Sequence, residues 1–391
     1  MQIKIMKKIF YVALFLFVLT LLFLGVYNFA FVKNPNNPVV DQVKKDTTKA
    51  QTTADIAKTT AADTALIKEI TNGPTVGANI ASDNEILFFT SDGALKRVTI
   101  GGGAEETVMD GLSGTPTRAI WSPTGEKALV QLSTSGLSRW SFVDVSAKTV
   151  TPLKSEMSSP TWTSLGDRIF YLYTDGVSGK TALNSSKPDG SDWRAYVAPI
   201  TSRKYYLSAV PKSAAISFWT QPDAFTETSL VSFTPTGTSV KKLFSGKFGA
   251  NYLWSSDGNH LLISNTFAKG GGEFSLGITN ANGGEFHPLN VPTFVSKVAW
   301  SSDGKSLYYA LPLGIPSGAV LPNDYFGRPI HTSDSFWKMD IGTGKTDRII
   351  DSRAIEGKDF DSIDLVLSPD EKYLFFTNRV DGHLYRIELP Q

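Results

Sequence analysis

A short phrase recurs seven times along the chain and constrains its fold more than any other feature. Each copy is a residue, most often Trp, at the end of an apolar stretch, followed by a small polar turn and a run of β-forming residues. Successive copies lie 40, 41, 48, 44, 46 and 67 residues apart, and they begin at Ala81, Trp121, Trp162, Val210, Trp254, Trp300 and Leu367. Regular spacing of this kind indicates a fold assembled from repeated structural units.

The residues within each copy explain why the chain reverses direction there. The sequences SPTG at 122–125 and SSDG at 255–258 form tight turns, because Gly accepts positive φ while Pro or Asp favours the first half of a turn. The strand after each turn is almost continuously apolar, which indicates burial on both faces. The next strand alternates, as at 336–341, which suits a position nearer the rim. These patterns predict an all-β, seven-bladed β-propeller of four-stranded antiparallel blades.

The two ends of the repeat region complement each other. The last copy is followed by only two further strands before Gln391, while an unpaired β-like segment at 65–71 precedes the first copy. We expect this segment to pair as the outer strand of the final blade, because closing the ring removes exposed strand edges. Residues 64–391 are therefore predicted to form one propeller domain.

Several copies resemble a known repeat family. The phrases WSPTG at 121–125, WSSDG at 254–258 and at 300–304, and LSPDE at 367–371 are similar to the repeats of TolB-type, WD-repeat-like β-propellers. The resemblance covers roughly residues 65–391 and implies the propeller fold. It leaves function open, because such propellers serve as docking platforms, as substrate-gating domains of peptidases and occasionally as lyases.

An apolar segment near the N-terminus predicts a membrane anchor. Residues 9–32 are long enough as a helix to cross a bilayer. Lys4, Lys7 and Lys8 precede the segment and only Lys33 closely follows it, so the positive-inside rule places residues 1–8 in the cytoplasm and the rest of the chain outside. The alternative is a cleaved signal peptide, although the segment is long for one and has no clean cleavage site.

Residues 33–63 predict a flexible stalk. They are rich in Thr, Ala, Asn, Lys and Asp and contain too few large apolar side chains to bury a core. The expected protein is therefore single-pass, held in the cell membrane through residues 9–32, with its propeller in the periplasm or at the cell surface.

Composition and motif spacing argue against several kinds of chemistry. The chain has no Cys, which excludes thiolate nucleophiles and metal-thiolate sites, and its net charge of +1 disfavours nucleic-acid binding. The Gly-Lys-Thr triplets at 179–181 and 344–346 lack the upstream glycine of a phosphate-binding loop. The four histidines lack metal-ligand spacing, and the acidic cluster at 359–364 reads as a solvated loop. We therefore predict no catalytic, cofactor or metal site.

Long connections point to a candidate binding face. In propeller topology the loop at 219–228, the insert at 312–335 and the connector at 351–361 should project on one side. Their aromatic, Arg and His side chains suit a protein-binding surface. The candidate partner-binding residues are Trp219, Phe225, Tyr325, Phe326, Arg328, His331, Arg353 and Phe360. Whether the insert binds a partner or only packs over its own blade stays open, whereas we expect Trp121, Trp162, Trp254 and Trp300 to be structural contacts between blades.

These features together predict a membrane-anchored extracytoplasmic propeller that acts as a non-catalytic docking or scaffold module of the cell envelope. The expected partner is an envelope protein, with wall polysaccharide as the alternative. The alternative is a propeller enzyme, either lyase or hydrolase, or a carbohydrate-binding module, with its site at the channel mouth. The sequence identifies neither the partner nor the oligomeric state.

Overall fold

The computed structural model describes residues 67–82, 84–200, 204–235, 240–327, 330–351 and 358–390. All of them belong to one compact unit, Thr52–Gln391. The predicted tail at 1–8, membrane helix at 9–32 and stalk at 33–63 lie outside these residues. Within the described ranges, no helix is both long enough and apolar enough to cross a membrane.

The described chain is almost entirely β-strand, arranged in antiparallel sheets that follow the sequence order. The N-terminal strand β1 (Ile67–Glu69) is followed by the first sheet: β2 (Thr75–Ser82), β3 (Glu85–Thr90), β4 (Leu95–Thr99) and β5 (Glu106–Met109). The second sheet comprises β6 (Thr115–Trp121), β7 (Lys127–Thr134), β8 (Leu137–Asp144) and β9 (Thr149–Pro152). The third comprises β10 (Met157–Trp162), β11 (Ile169–Thr174), β12 (Thr181–Ser186) and β13 (Arg194–Ile200).

The fourth sheet has seven strands: β14 (Tyr205–Ala209), β15 (Ile216–Thr220), β16 (Glu227–Phe233), β17 (Val240–Trp254), β18 (His260–Thr266), β19 (Phe274–Asn280) and β20 (His287–Pro288). A 3-10 helix (Val295–Lys297) leads into the fifth sheet, which comprises β21 (Val298–Trp300), β22 (Ser306–Leu311), β23 (Ser335–Asp340) and β24 (Thr346–Asp351). Between β22 and β23 lies a single turn-length helix, α1 (Asn323–Gly327). The sixth sheet comprises β25 (Ser362–Leu367), β26 (Tyr373–Asn378) and β27 (Leu384–Glu388), together with β1.

One strand joins two of the repeated units, so the described strands form six sheets rather than seven separate ones. The N-terminal half of β17 pairs with β16, and its C-terminal half pairs with β18. Its sequence contains no Pro, and its glycines at 246 and 249 adopt positive φ, which bends the strand without ending it. The outer strand of one unit therefore continues directly as the inner strand of the next.

The predicted pairing of the N-terminal segment is confirmed. Strand β1 lies antiparallel to β27, with Ile67 opposite Ile387 and Glu69 opposite Tyr385. Immediately after β1, the amide of Ile70 donates to the carbonyl of Leu384 over 2.9 Å. The segment thereby supplies the outer strand of the sixth sheet and covers the edge that β27 would otherwise expose.

Apolar side chains fill the spaces between neighbouring sheets and join them into a closed cycle. Buried clusters connect the first sheet to the second, the second to the third, the third to the fourth, and the fifth to the sixth. A further cluster places Phe375 of the sixth sheet with Ile86 and Phe88 of the first. Because the last sheet packs on the first, the arrangement is that of a β-propeller, as the repeats predict.

The four recurring tryptophans contact the repeated unit that precedes their own. The indole nitrogen of Trp121 donates to the carbonyl of Gly77 in the first sheet, and that of Trp162 donates to Ile120 in the second. Trp254 donates to the hydroxyl of Ser217, while Trp300 stacks on His260 at 6.3 Å between ring centroids. Each ring thus packs on the unit before its own.

The turn glycines explain the tight spacing around the ring. A Cβ atom added to Gly258 would lie 2.4 Å from the carbonyl oxygen of Pro211, in the equivalent turn of the preceding unit. Likewise, a Cβ added to Gly166 would lie 3.1 Å from Pro123. Glycine is therefore needed for the positive φ of the turn and for the close approach of its neighbour.

Candidate functional site

The first strands of the sheets surround a cavity of about 870 Å³ at the centre of the ring. Strands β6, β10, β14, β17 and β25 contribute to its wall, together with the 3-10 helix before β21. One end is covered by the loop after β15 and by α1 of the insert. The polar and aromatic lining residues include Arg118, Ser159, Tyr206, Ser208, Trp219, Gln221, Asp223, Asn251, Tyr252, Ser296, Asn323 and Asp364.

β-Bulges recur in the strands around this cavity and determine which side chains face it. The pairing of β6 with β7 shifts register between Pro116 and Arg118, and that of β25 with β26 shifts between Ile363 and Val366. Within its bulge, Asp364 adopts a left-handed conformation with φ of 53°. Such backbone is uncommon for a residue other than Gly, and bulges next to sites commonly re-aim a side chain.

Opposite charges lie in the cavity wall without touching each other. Among the described residues, neither Arg118 nor Asp364 forms a side-chain hydrogen bond or ion pair. Desolvation by the surrounding protein raises the pKa of Asp364, and the positive charge of Arg118 opposes that rise. The Asp364 side chain is nevertheless open to solvent in the cavity, so water there offsets part of the desolvation. Burial also raises the pKa of Tyr206, and the positive charge of Arg118 opposes that rise.

Aromatic side chains form one side of the cavity and hold each other in place. Trp219 lies edge-to-face with Tyr206 and with Tyr252, at 6.0 and 5.5 Å between ring centroids. Its indole nitrogen donates to the side-chain oxygen of Asn251 over 3.0 Å. Burial raises the pKa of Tyr252 to about 12, and the Tyr252 hydroxyl pairs with that of Thr228 at 3.0 Å. These rings form a fixed apolar wall.

The insert between β22 and β23 packs on the ring through part of its length. Leu321 and Tyr325 are buried in a cluster with Phe274 and Phe294. The approach is close, since a Cβ atom added to Gly271 would lie 2.7 Å from the backbone nitrogen of Leu321. These two side chains are therefore buried, but they pack against the preceding sheet rather than over the insert's own blade.

A buried ionic network lies beneath the insert. The ammonium group of Lys297 contacts Asp334 at 2.7 Å and Asp361 at 2.8 Å, and all three side chains are fully buried. Tyr325 donates to Asp361 over 2.6 Å, and Arg379 reaches the same carboxylate at 3.1 Å. Desolvation raises the pKa of Asp361, but Lys297 opposes it strongly enough to hold that pKa below its usual range. The prediction of a solvated loop at 359–364 is thus wrong for Asp361, which is buried and acts as a counter-ion of Lys297.

The structure brings the three predicted long connections together, but it does not expose all of their predicted binding residues. Trp219, Tyr325 and Phe360 are buried, because each packs among other aromatic rings. The prediction that these three side chains lie on a binding surface is therefore wrong, because they pack inside the protein. His331 is exposed and lies 3.7 Å from Asp361. Arg328 and Arg353 lie outside the described residues.

Three phenylalanines remain open on this face, and we call Phe225, Phe267 and Phe326 the aromatic rim. They expose 53%, 62% and 51% of their surface, which is unusual for large apolar side chains. Their loops are joined by hydrogen bonds. The amide of Ala224 donates to the side chain of Asn323 over 2.8 Å, and the amide of Gly270 donates to the carbonyl of Ala224 over 2.8 Å.

Comparison with known proteins identifies the fold and nothing finer. No family model matches the chain, and no curated protein matches it. An oligogalacturonate lyase from Vibrio parahaemolyticus is 11% identical over 83% of this chain and 94% of its own, with a TM-score of 0.59. The β-propeller domain of Cps50 (Swd1) from Myceliophteria thermophila is 12% identical over 83% of this chain and all of its own, with a TM-score of 0.54.

TolB from Acinetobacter baumannii is also similar, at 15% identity over 70% of this chain and 61% of its own. Its TM-score of 0.44 is too low to carry an argument. Identities in this range show a shared fold alone, so the propeller implied by the repeat phrases is confirmed while function stays open.

The sequence patterns did not indicate Arg118, Asp364 or Phe267 as functional residues. The two charged residues lie on inner strands of different sheets, and only ring closure places them in one cavity. Phe267 belongs to an ordinary hairpin connection between β18 and β19, whose length gives no signal. Only the arrangement of the sheets in the folded protein shows that Phe267 lies beside the insert.

Proposed function

We propose that this protein is a docking module of the cell envelope, anchored in the membrane through residues 9–32 and lifted from it by the stalk at 33–63. In this proposal its N-terminus is cytoplasmic, and residues 64–391 form an extracytoplasmic seven-bladed propeller in which β17 serves two blades. The partner is an envelope protein. Confinement to the membrane surface raises the local concentration of partner and favours recognition of modest affinity.

The observation that carries the proposal is the aromatic rim. Its three phenylalanines project from connections of neighbouring units, and hydrogen bonds hold those connections against one another. Exposed aromatic side chains on a fixed framework lose little conformational entropy on binding and are enriched where proteins associate. Polar groups such as His331 border the same face.

The cavity favours binding over catalysis. Among the described residues that line it, the charged ones are Arg118, Asp223 and Asp364, and Arg118 forms no hydrogen bond or ion pair with Asp364. General acid-base or nucleophilic chemistry requires convergent groups within hydrogen-bond reach. This distribution supports a binding role for the protein.

Site-specific photo-crosslinking in intact membranes tests the docking proposal. A photoreactive phenylalanine analogue is placed at position 225 or 326, and at position 165 as a control, because Leu165 is an exposed apolar residue, 82% accessible, in a turn between first and second strands. We expect a discrete protein adduct from the two rim positions, depleted about tenfold by Phe267→Ser, and none from position 165. The same adducts from all three positions would reject the rim as the docking face.

An enzymatic role is the second candidate, because a structure of similar fold is an oligogalacturonate lyase and because Arg118 and Asp364 lie in the cavity wall without forming an ion pair. Incubating the purified chain with oligogalacturonate, and following new ultraviolet absorbance from unsaturated product, tests it directly. Turnover that disappears in Arg118→Gln would replace the docking proposal with catalysis or polysaccharide processing.

A further inference from the structure

We propose that the central cavity binds a small zwitterion of the α-amino-acid class, with its carboxylate on Arg118 and its ammonium group near Asp364. This site lies inside the ring, and of the three residues of the aromatic rim only Phe326 borders it. The inference therefore goes beyond docking and does not depend on it.

Arg118 has the properties of an anion receptor. It follows the bulge of β6 and is exposed to the cavity. Among the described residues its guanidinium has no hydrogen-bond or ion-pair partner, although it carries several N–H donors in a planar fork that matches a carboxylate. An arginine in a cavity wall with all its donors unused is suited to a ligand that supplies two oxygens.

Asp364 provides the complementary charge. Its left-handed backbone places an acidic side chain on an inner strand that faces the cavity, and no described donor satisfies it. Asp364 and Arg118 line the same cavity, yet they do not form an ion pair with each other. A molecule that carries both a negative and a positive group could pair with both side chains.

The other lining residues narrow the class of ligand. Arg118 and Asp364 carry opposite charges, so a ligand with only negative charge leaves Asp364 without a counter-ion, and a ligand with only positive charge leaves Arg118 without one. Tyr206, Trp219 and Tyr252 offer an apolar wall for a side chain, and their ring faces favour an ammonium group. The volume of about 870 Å³ falls within the range of small-molecule pockets.

Calorimetric titration of the full-length chain in detergent micelles tests this inference. The probes are the common free α-amino acids, and each one that binds is compared with its N-acetyl derivative, which lacks the ammonium group, and its methyl ester, which lacks the carboxylate. We expect saturable binding by at least one amino acid. Both derivatives should bind roughly tenfold more weakly or worse, since each loses one charged hydrogen bond.

Two substitutions assign the binding to this site. Arg118→Gln and Asp364→Asn should each weaken the affinity roughly tenfold or more, whereas the exposed controls Arg139→Gln and Asp110→Asn should not change it. Neither site variant removes a contact of the folded chain, and Asn tolerates the left-handed backbone, so unchanged thermal unfolding should accompany the loss.

Absence of heat with every amino acid would overturn the inference, and so would equal binding of the N-acetyl derivatives or unchanged affinity in both site variants. Phe225→Ser and Phe267→Ser, at rim positions that do not line the cavity, should leave these titrations unchanged. A failure here is therefore distinguishable from a failure of docking at the aromatic rim.

Discussion

At the scale of single residues, the turn of each repeat combines a local and a long-range requirement. Ser255 accepts the amide of His260 and donates to Asp257, which closes the turn locally. Gly258 then lies against Pro211 of the preceding unit. The local part is readable from the phrase itself, whereas the contact with the previous turn exists only in the assembled ring.

Replacing Gly258 by Ala tests that contact. Its φ of 76° and the nearby Pro211 carbonyl predict a loss of about 2–4 kcal/mol in unfolding free energy, from backbone strain and a steric clash together. Gly344→Ala is the matched control, because Gly344 has φ of 71° with open space around it, and it should cost about 1 kcal/mol. Equal losses in urea unfolding would show that the neighbouring turn does not constrain position 258.

The last repeat has an acid-sensitive turn. Hydrogen bonds from Ser368 and Lys372 lower the pKa of Asp370 to about 2, below the value of about 3.9 expected in the unfolded chain. A lowered folded-state pKa stabilises the fold above pH 4, and this contribution disappears as the pH falls toward 2. Asp370→Asn should therefore reduce stability at pH 6 and match the parent protein near pH 2.

Urea unfolding across this pH range measures the effect of Asp370. The exposed Asp110→Asn serves as the control and should follow the parent protein throughout. A difference between Asp370→Asn and the parent that grows as the pH falls would contradict a lowered pKa for Asp370 in the folded protein.

At the scale of elements, strand β1 shows how a short segment controls a large assembly. It has only three residues, yet it pairs with β27 and leads directly into Ile70, which is buried between the sixth and first sheets. Side-chain packing at this seam therefore joins the two ends of the described chain.

Truncating Ile70 should weaken the seam. Ile70→Ala removes buried methyl groups beside Ile86 and Phe88, and we expect a loss of about 2–4 kcal/mol in unfolding free energy. Leu137→Ala, at a position that is 64% exposed, should change it by less than about 0.5 kcal/mol. Thermal or urea unfolding distinguishes the two, and a seam that tolerates Ile70→Ala would mean that β1 contributes little to ring closure.

At the scale of the whole molecule, one buried lysine connects parts that are distant in sequence. Lys297 precedes β21 and contacts Asp334 at the end of the insert and Asp361 before β25. The insert and the sixth sheet are thus held to the fifth sheet through a single charge. Such a network orders the face that carries Phe326.

Removing that charge takes away the ammonium group shared by two buried carboxylates, of which Asp361 keeps its contact with Arg379. Lys297→Met should lower the unfolding free energy by about 3–5 kcal/mol, whereas Lys305→Met should change it by less than about 0.5 kcal/mol because Lys305 is exposed. Hydrogen exchange of the insert should also increase in Lys297→Met. Unchanged stability and exchange would show that Asp334 and Asp361 are satisfied without Lys297.

Local chemistry along the chain was sufficient to predict the repeated units, their turns, the buried second strands and the pairing of residues 65–71 with the C-terminal sheet. These features depend on residue size, φ preference and hydrophobic pattern, which a sequence displays directly. Tertiary structure alone decided that β17 serves two units, that Trp219, Tyr325 and Phe360 are buried, and that Arg118 and Asp364 share a cavity. Those outcomes depend on which strands approach after the ring closes, and distances across a ring are not encoded in the spacing of residues along it.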